Sequence, residues 1–491
     1  MPDLGMLDTT TTAPSSTANA SSVTWNSATT GWTPVPRPSN GGASLRSAIG
    51  RPTASGHERP QSITTVTRRK VHHMDARSTL ATGNAPRNRP DRRDYATLGD
   101  DSWAVHGGNR PDDTTGAIRT PIVMANSYRL PHDPASLDDS DPDALVYTRE
   151  TGANQLGLQA KLAAIEHGEA AAAFATGMAA LHAAFLALLN PGDHAIVSNV
   201  VYGRVFGLFS SLLPAKLGIE VDFVDITDLD AVRTAVRTNT RLIHTEAIAN
   251  PDLRVAEIAP LAQIAHASGA RLTVDSTFTP PPMLRPLDHG ADLVIHSLTK
   301  YINGHGDAMG GAVIGDRSLI DEIKSGPMHH IGGAITPFNA WLIMRGSITL
   351  PLRLQRHCDN AHAFATFLAQ DPRIAHIAYP GLPSDPHHPG AAAQFNGTYG
   401  GVVSFAIAGE HEDRVRFVND LRLITSAVSL GHDETLIAYE HYPEARAIAF
   451  AAPFRDHGLI RLAVGLESAD DLIADLDAAL TTAYGPPAAS R

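Results

Sequence analysis

Lys300 stands in the segment ADLVIHSLTKYINGHGD, residues 291–307, where an apolar run at 293–295 stops and delivers Ser297, Thr299 and Lys300 in quick succession. Open α/β sheets place their chemistry where strands end. A lysine in that position, flanked by two hydroxyls and followed by glycines, suits an amine that forms a Schiff base while its neighbours hold a phosphate. The same segment also reads as a solvated loop lysine. Upstream, RLTVDSTF places Asp275 at the end of another predicted strand, one strand-helix-strand step of a parallel sheet away. A carboxylate there can pair with a protonated pyridine nitrogen, the partner that an electron-sink cofactor needs. An aspartate after an apolar strand is common by itself; together with Lys300 it points to pyridoxal phosphate.

From about Gly152 the chain alternates between strand and helix patterns. HAIVS (194–198), VDFVDI (221–226), RLIHTE (241–246), LTVDS, LVIHS and GAVIG (311–315) read as strands. Between them lie segments with helical apolar periodicity, such as IAPLAQIAHA (258–267), stopped by Ser268 and Gly269. This alternation predicts an α/β domain with a mostly parallel sheet covered by helices. After a helical stretch near 345–368, GGVVSFAIAG (400–409) and LIRLAVG (459–465) read as strands of a smaller α+β domain. The predicted organisation is an extension over 1–95, an arm over 96–151, a large domain over 152–345 and a small C-terminal domain over 346–491.

Several further stretches carry a resemblance: YTR (147–149), ATGMAAL (175–181), VYGR (201–204), ANP (249–251), VDSTF, HSLTKY, GHGD, LRLQRHCDNA (352–361), YPGLPS (379–384), AVSLG (427–431) and LIRLAVGLE (459–467). In order and spacing they are similar to the trans-sulfuration, or Cys/Met metabolism, family of pyridoxal phosphate enzymes, and most of all to methionine gamma-lyases and cystathionine gamma-lyases. The resemblance runs from about Trp103 to the C terminus. It implies fold type I and a homotetramer built from two dimers, with each active site shared within a dimer.

The resemblance also implies roles. Lys300 carries the cofactor and Asp275 faces its ring nitrogen. The phosphate rests on the backbone N–H groups of Gly177 and Met178 at a helix N terminus, a setting that favours anions, and on Ser297 and Thr299. Tyr147 and Arg149 reach that phosphate from a neighbouring subunit. Tyr202 stacks on the ring and donates a proton to the leaving group, and Asn250 bonds the phenolic oxygen. Arg461 forks the substrate carboxylate, a task that favours a guanidinium, with Ser429 beside it. Read alone, the glycine is a turn and Tyr202 is core packing. The implied reaction is γ-elimination from a sulfur amino acid such as cystathionine or methionine. The alternatives are a γ-replacement synthase, or a repurposed paralogue with weak or no lyase activity.

The substrate end departs from the family pattern. Methionine gamma-lyases carry Cys at the position of Arg204 and a Lys-Asp pair at His329-His330. The arm motif is eroded to YTRETGAN, and AYEHYPEARA (438–447) stands where HPASMTH is usual. Arg204 with His329 or His330 is therefore a candidate receptor for an anionic distal group, with a surface arginine and solvated histidines as the bland reading. Val428, where many cystathionine-processing relatives carry Glu, favours the methionine type.

Composition bounds the rest. At 491 residues, 43% hydrophobic and 18% charged, the chain reads as a globular protein of two domains. No apolar run reaches the roughly 18 residues of a membrane helix. Residues 1–95 are rich in Ser, Thr, Pro, Gly and Asn and are expected to be disordered; they read faintly as a transit peptide, or as an upstream stretch if translation starts at Met74. They hold 12 basic against 6 acidic residues, a net +6, so with the whole chain at −12 the remainder carries −18. An acidic body argues against a nucleic-acid partner. The single cysteine, Cys358, fits a reducing, cytoplasmic compartment. The 24 histidines show no metal-ligand spacing, and no metal is expected.

Overall fold

The computed structural model describes residues 98–487 except 110, 113, 138–140, 142–143 and 441–443. The chain divides into a unit of residues 1–81 and a unit of 82–491, and everything below concerns the second. The expected disorder of 1–95 falls outside the described residues.

Seven strands form the larger sheet: β1 (Ala170–Phe174), β2 (His194–Ser198), β3 (Glu220–Val224), β4 (Thr240–Glu246), β5 (Arg271–Asp275), β6 (Leu293–His296) and β7 (Gly311–Gly315). Their order is β1-β7-β6-β5-β4-β2-β3, and only β7 runs against its neighbours. A parallel sheet must be covered on both faces, and β1, β2, β6 and β7 are buried along their whole length. Successive side chains leave on opposite faces. Ile243 joins Leu158, Leu162 and Leu261 of helices Ala153–Ile165 and Ile258–Ala267. Its neighbour Leu242 joins Phe185 of helix Gly177–Leu188 on the other face. Phe185 packs edge-on against Phe209 and His244, with centroids 4.7 and 4.9 Å apart. His244 belongs to this core as a neutral ring: its Nδ1 meets Thr273 Oγ1 at 2.8 Å, and burial pushes it down to about 3.

The second sheet comprises β8 (Ile374–Ala378), β9 (Val402–Ile407), β10 (Thr425–Ser426), β11 (Leu436–Glu440) and β12 (Leu459–Ala463), ordered β10-β11-β12-β9-β8. It is antiparallel except where β10 meets β11. Phe364 and Leu368 of helix Leu350–Gln370, Phe417 of helix His411–Asp420, and Leu472 and Leu476 of helix Ala469–Tyr484 pack on it.

Helix Leu350–Gln370 also fixes the backbone that follows Lys300. Arg353 donates to the carbonyls of Tyr301 at 2.9 Å and Gly346 at 3.0 Å. Gly304 has φ +70°, and a Cβ there would sit 1.8 Å from the Arg353 guanidinium. Only glycine allows the loop to lie this close over the arginine. One turn further along, His357 Nδ1 meets the Val464 carbonyl at 2.6 Å and Asn360 donates to Gly465 at 3.0 Å. The sequence stretch around 352–361 is thus a clasp that holds the loop after β6 to the end of β12.

Candidate active site

The C-terminal ends of β4, β5 and β6 lie side by side, and each delivers a polar group. Asp275 closes β5; its Oδ1 accepts the Thr277 N–H at 2.9 Å, and Thr277 Oγ1 in turn accepts the Ser297 N–H at 2.9 Å. That chain of bonds ties the end of β5 to the turn that carries Lys300. Glu246, the last residue of β4, stands in register with Asp275. Burial raises the Asp275 carboxyl, and burial with the charge of Asp275 pushes Glu246 up to about 8. Two buried carboxylates this close cannot both ionise cheaply, so the pair favours sharing a proton near neutrality.

Glu246 is also a junction. One oxygen accepts the Tyr202 N–H and the other the Asn250 N–H, each at 2.6 Å. Tyr202 heads helix Gly203–Gly207 with its side chain 43% exposed, while Asn250 is buried. Asn250 Oδ1 accepts from Arg461 Nη1 at 2.8 Å, and Arg461 Nη2 lies 3.4 Å from Glu440 Oε1. Arg446, from the stretch that departs from the family pattern, donates to the Asn250 carbonyl at 3.2 Å and to the Val201 carbonyl.

Lys300 Nζ donates to Ser429 Oγ at 2.6 Å. Burial and the nearby Arg461 guanidinium lower the lysine to about 8, which raises the fraction of free amine available as a nucleophile or base. Ser429 is reached from the second sheet, just past β10, with φ +96°, a conformation costly for a residue other than glycine. Gly177 opens its helix beside the β6 turn, where a Cβ would lie 2.9 Å from the Ser297 side chain. Thr176 caps that helix, accepting the Ala179 N–H at 3.1 Å, and leaves Gly177 and Met178 as its first residues. Thr299 Oγ1 is held by Gly310, whose N–H it accepts at 3.1 Å.

The other candidates lie elsewhere. Tyr147 and Arg149 contact each other, with the guanidinium 5.1 Å from the ring centroid, and Arg149 pairs with Glu150 at 2.9 Å. His329 Nδ1 lies 3.3 Å from the same Glu150, so within this chain it belongs with the arm rather than with Arg204. Arg204 is exposed on the helix that follows Tyr202. Glu246, Arg353, Glu440 and His432 were not singled out by sequence; Glu246 closes an apolar strand as Asp275 does, and that was its one available signal.

The model of the family described as Cys/Met metabolism PLP-dependent enzyme matches residues 101–481. The chain belongs to that family. Canavanine gamma-lyase from Pseudomonas canavaninivorans is 54% identical over 406 residues, covering 81% of this chain and 100% of that protein. L-methionine gamma-lyase from Pseudomonas putida is 38% identical, covering 77% of this chain and 96% of its own. Among solved structures, metB from Corynebacterium glutamicum superposes with a TM-score of 0.74 at 35% identity, covering 79% of this chain and 100% of that one. Membership in the Cys/Met metabolism family makes the fold that of type I pyridoxal phosphate enzymes and makes the chain a pyridoxal phosphate-dependent lyase, of the class that eliminates a C–S or C–O bonded group at Cγ. Among the described residues no helix is long and apolar enough to cross a membrane.

The residues fit the cofactor on structural grounds. A helix N terminus and two hydroxyls converge at Gly177, Ser297 and Thr299, with no room for a Cβ between the first two. Burial disfavours the charge on the Asp275 carboxyl, and a protonated ring nitrogen brought to it would supply the cation that offsets this. The amine of Lys300 is already turned toward the second sheet by Ser429.

Proposed function

We propose that this protein is a γ-lyase acting on amino acids with a guanidinooxy leaving group, of which L-canavanine is the type. The observation that carries the reading is the contrast in similarity: 54% and 53% identity to two canavanine gamma-lyases over essentially their whole lengths, against 38% to a methionine gamma-lyase.

When bound, pyridoxal phosphate supplies the electron sink for charge left at Cα. The protein's part is to hold and to move protons. Gly177, Met178, Ser297 and Thr299 hold the phosphate, Asp275 keeps the ring nitrogen protonated, and Asn250 bonds the phenolic oxygen. Arg461 holds the substrate carboxylate, with Ser429 beside it. The free amine of Lys300 takes the Cα proton, and Tyr202, its backbone pinned by Glu246, gives a proton to the departing oxygen. Tyr147 and Arg149, exposed on the arm, serve the site of a neighbouring subunit in a homotetramer. Cys358, buried and free, supports a cytoplasmic setting.

A second reading rests on Arg204, exposed beside Tyr202, and on the 39% identity to a cystathionine gamma-synthase from Mycobacterium bovis. In that reading Arg204 receives an anionic distal group and the enzyme joins a thiol to the substrate. Turnover of canavanine, methionine, cystathionine and O-succinylhomoserine, with and without a thiol, separates the two. Canavanine is expected to lead methionine by about tenfold or more in kcat/KM, with Arg204→Ala leaving it within a few-fold. Preferential use of cystathionine or O-succinylhomoserine, abolished by Arg204→Ala, would overturn the first reading.

A further inference from the structure

Ser429 sits between two titratable groups. It accepts from Lys300 Nζ at 2.6 Å, and its Oγ lies 3.1 Å from Nε2 of His432. Because Lys300 fills the acceptor side of that hydroxyl, its own hydrogen is free to go to an unprotonated Nε2. Burial and the nearby Lys300 hold the imidazole below its ordinary 6.5, which favours that neutral form. Asp433 and Glu434 on the same turn act the other way, and from helix Leu350–Gln370 the groups facing this turn are Arg353 and His357. The His432 ring is half-buried, so the far end of this chain of bonds borders solvent. The turn itself is rigid: Ser429 is held at φ +96°, and a Cβ on Gly431 would lie 2.7 Å from the Tyr301 backbone nitrogen.

We propose that His432 is a positioning residue of the lyase reaction and the outer member of a proton relay, Lys300 to Ser429 to His432, that empties the lysine between proton-transfer steps. When Nζ holds a proton taken from substrate Cα, one proton passes from Nζ to Ser429 Oγ as the hydroxyl proton passes to His432 Nε2. Only N–H and O–H bonds change, and the imidazolium then releases its proton to water. The relay orients the Ser429 lone pair toward Lys300 and exchanges the lysine's protons with solvent. It holds for whichever amino acid the enzyme prefers.

Two measurements test it, one needing neither cofactor nor substrate. In the cofactor-free protein, trace acylation of Lys300 by acetic anhydride, read by peptide mass spectrometry across pH, is expected to show a midpoint near about 8. His432→Ala moves that midpoint down, because Ser429 loses the acceptor that turns its lone pair to the ammonium. His432→Gln, which places an uncharged acceptor near the former Nε2, restores it and reports an intact site. In the holoenzyme with Cα-deuterated substrate, the wild type is expected to wash the label into solvent. Both variants retain several-fold more deuterium in product and lose roughly tenfold in kcat, with KM unchanged. Wild-type retention in both variants overturns the relay whatever happens to kcat. So does high retention in His432→Ala that His432→Gln reverses, since an acceptor that cannot titrate would then suffice.

Discussion

Lys300→Ala is expected to lower kcat by about 10⁴-fold, the upper end of what a single positioned acid-base group contributes, while the chain still folds and still binds pyridoxal phosphate reversibly. Folding survives because the backbone of the turn is held from elsewhere, by Thr277 at Ser297 and by Arg353 at Tyr301. Binding survives because the donors at Gly177 and Ser297 and the carboxyl of Asp275 are untouched. What goes is the amine that both captures the coenzyme and moves the Cα proton. The pH dependence in the wild type follows from the same group. Burial and Arg461 lower it from 10.5 to about 8, and only its neutral form is a nucleophile. The rate at which cofactor-free protein captures the coenzyme therefore rises as pH climbs toward 8 and levels off above it. Stopped-flow absorbance checks both statements; a Lys300→Ala chain that keeps more than a few per cent of wild-type turnover contradicts them.

Asp275→Asn is the second large effect. The amide oxygen can still accept the Thr277 N–H, so the local fold persists. The charge does not. In the native pair, Asp275 and Glu246 stand in register at the ends of adjacent strands and burial raises both, so a cation brought to Asp275 is stabilised by a carboxylate whose charge the site otherwise disfavours. Removing a preorganised charge of this kind costs about 10²–10³ in kcat. KM is expected to change little, since the assigned partner of Asp275 is the cofactor ring rather than the amino acid. Glu246 reports the same change from the other side. Without the Asp275 charge beside it, its carboxyl, now pushed up to about 8, moves down, and Glu246→Gln by itself costs less, because its one oxygen keeps one of the Tyr202 and Asn250 N–H groups and only the other meets its NH2. Steady-state kinetics of the two variants side by side give the comparison; equal losses in both would show that the pair acts as a structural clamp alone.

The parallel sheet was legible because its strands alternate with helices in sequence and end in polar residues, so LVIHS and LTVDS announced both the architecture and the place where Lys300 and Asp275 stand. β1 escaped: AAAAF has the composition of a good helix, and only its burial on both faces between helices makes it a strand. β10 and β11 escaped because they are short or lie in the stretch that departs from the family pattern. Glu246 was invisible for a different reason. Its partnership with Asp275 depends on β4 and β5 being neighbours, and strand order is not written locally. The same holds for His432 and for the bond between Lys300 and Ser429: Ser429 was a candidate beside the substrate carboxylate, but its contact with Lys300 spans 129 residues of chain, and His432 enters only through Ser429. Arg353 lies inside the stretch LRLQRHCDNA, yet its bonds to the carbonyls after Lys300 exist only once the loop has folded over it.

The most direct test of the account uses the fact that the chain has five lysines, at 70, 161, 216, 300 and 324. Lys161 is the natural competitor: it is buried, lowered to about 7 by desolvation, and held by the Ala104 carbonyl at 2.6 Å and Ser347 Oγ at 3.1 Å, on the wall of a cavity away from Asp275. Borohydride reduction of the coloured holoenzyme followed by peptide mass spectrometry locates the coenzyme. A pyridoxyl phosphate adduct confined to Lys300 is the expected result; an adduct on Lys161 or any other lysine, or none at all, contradicts the account.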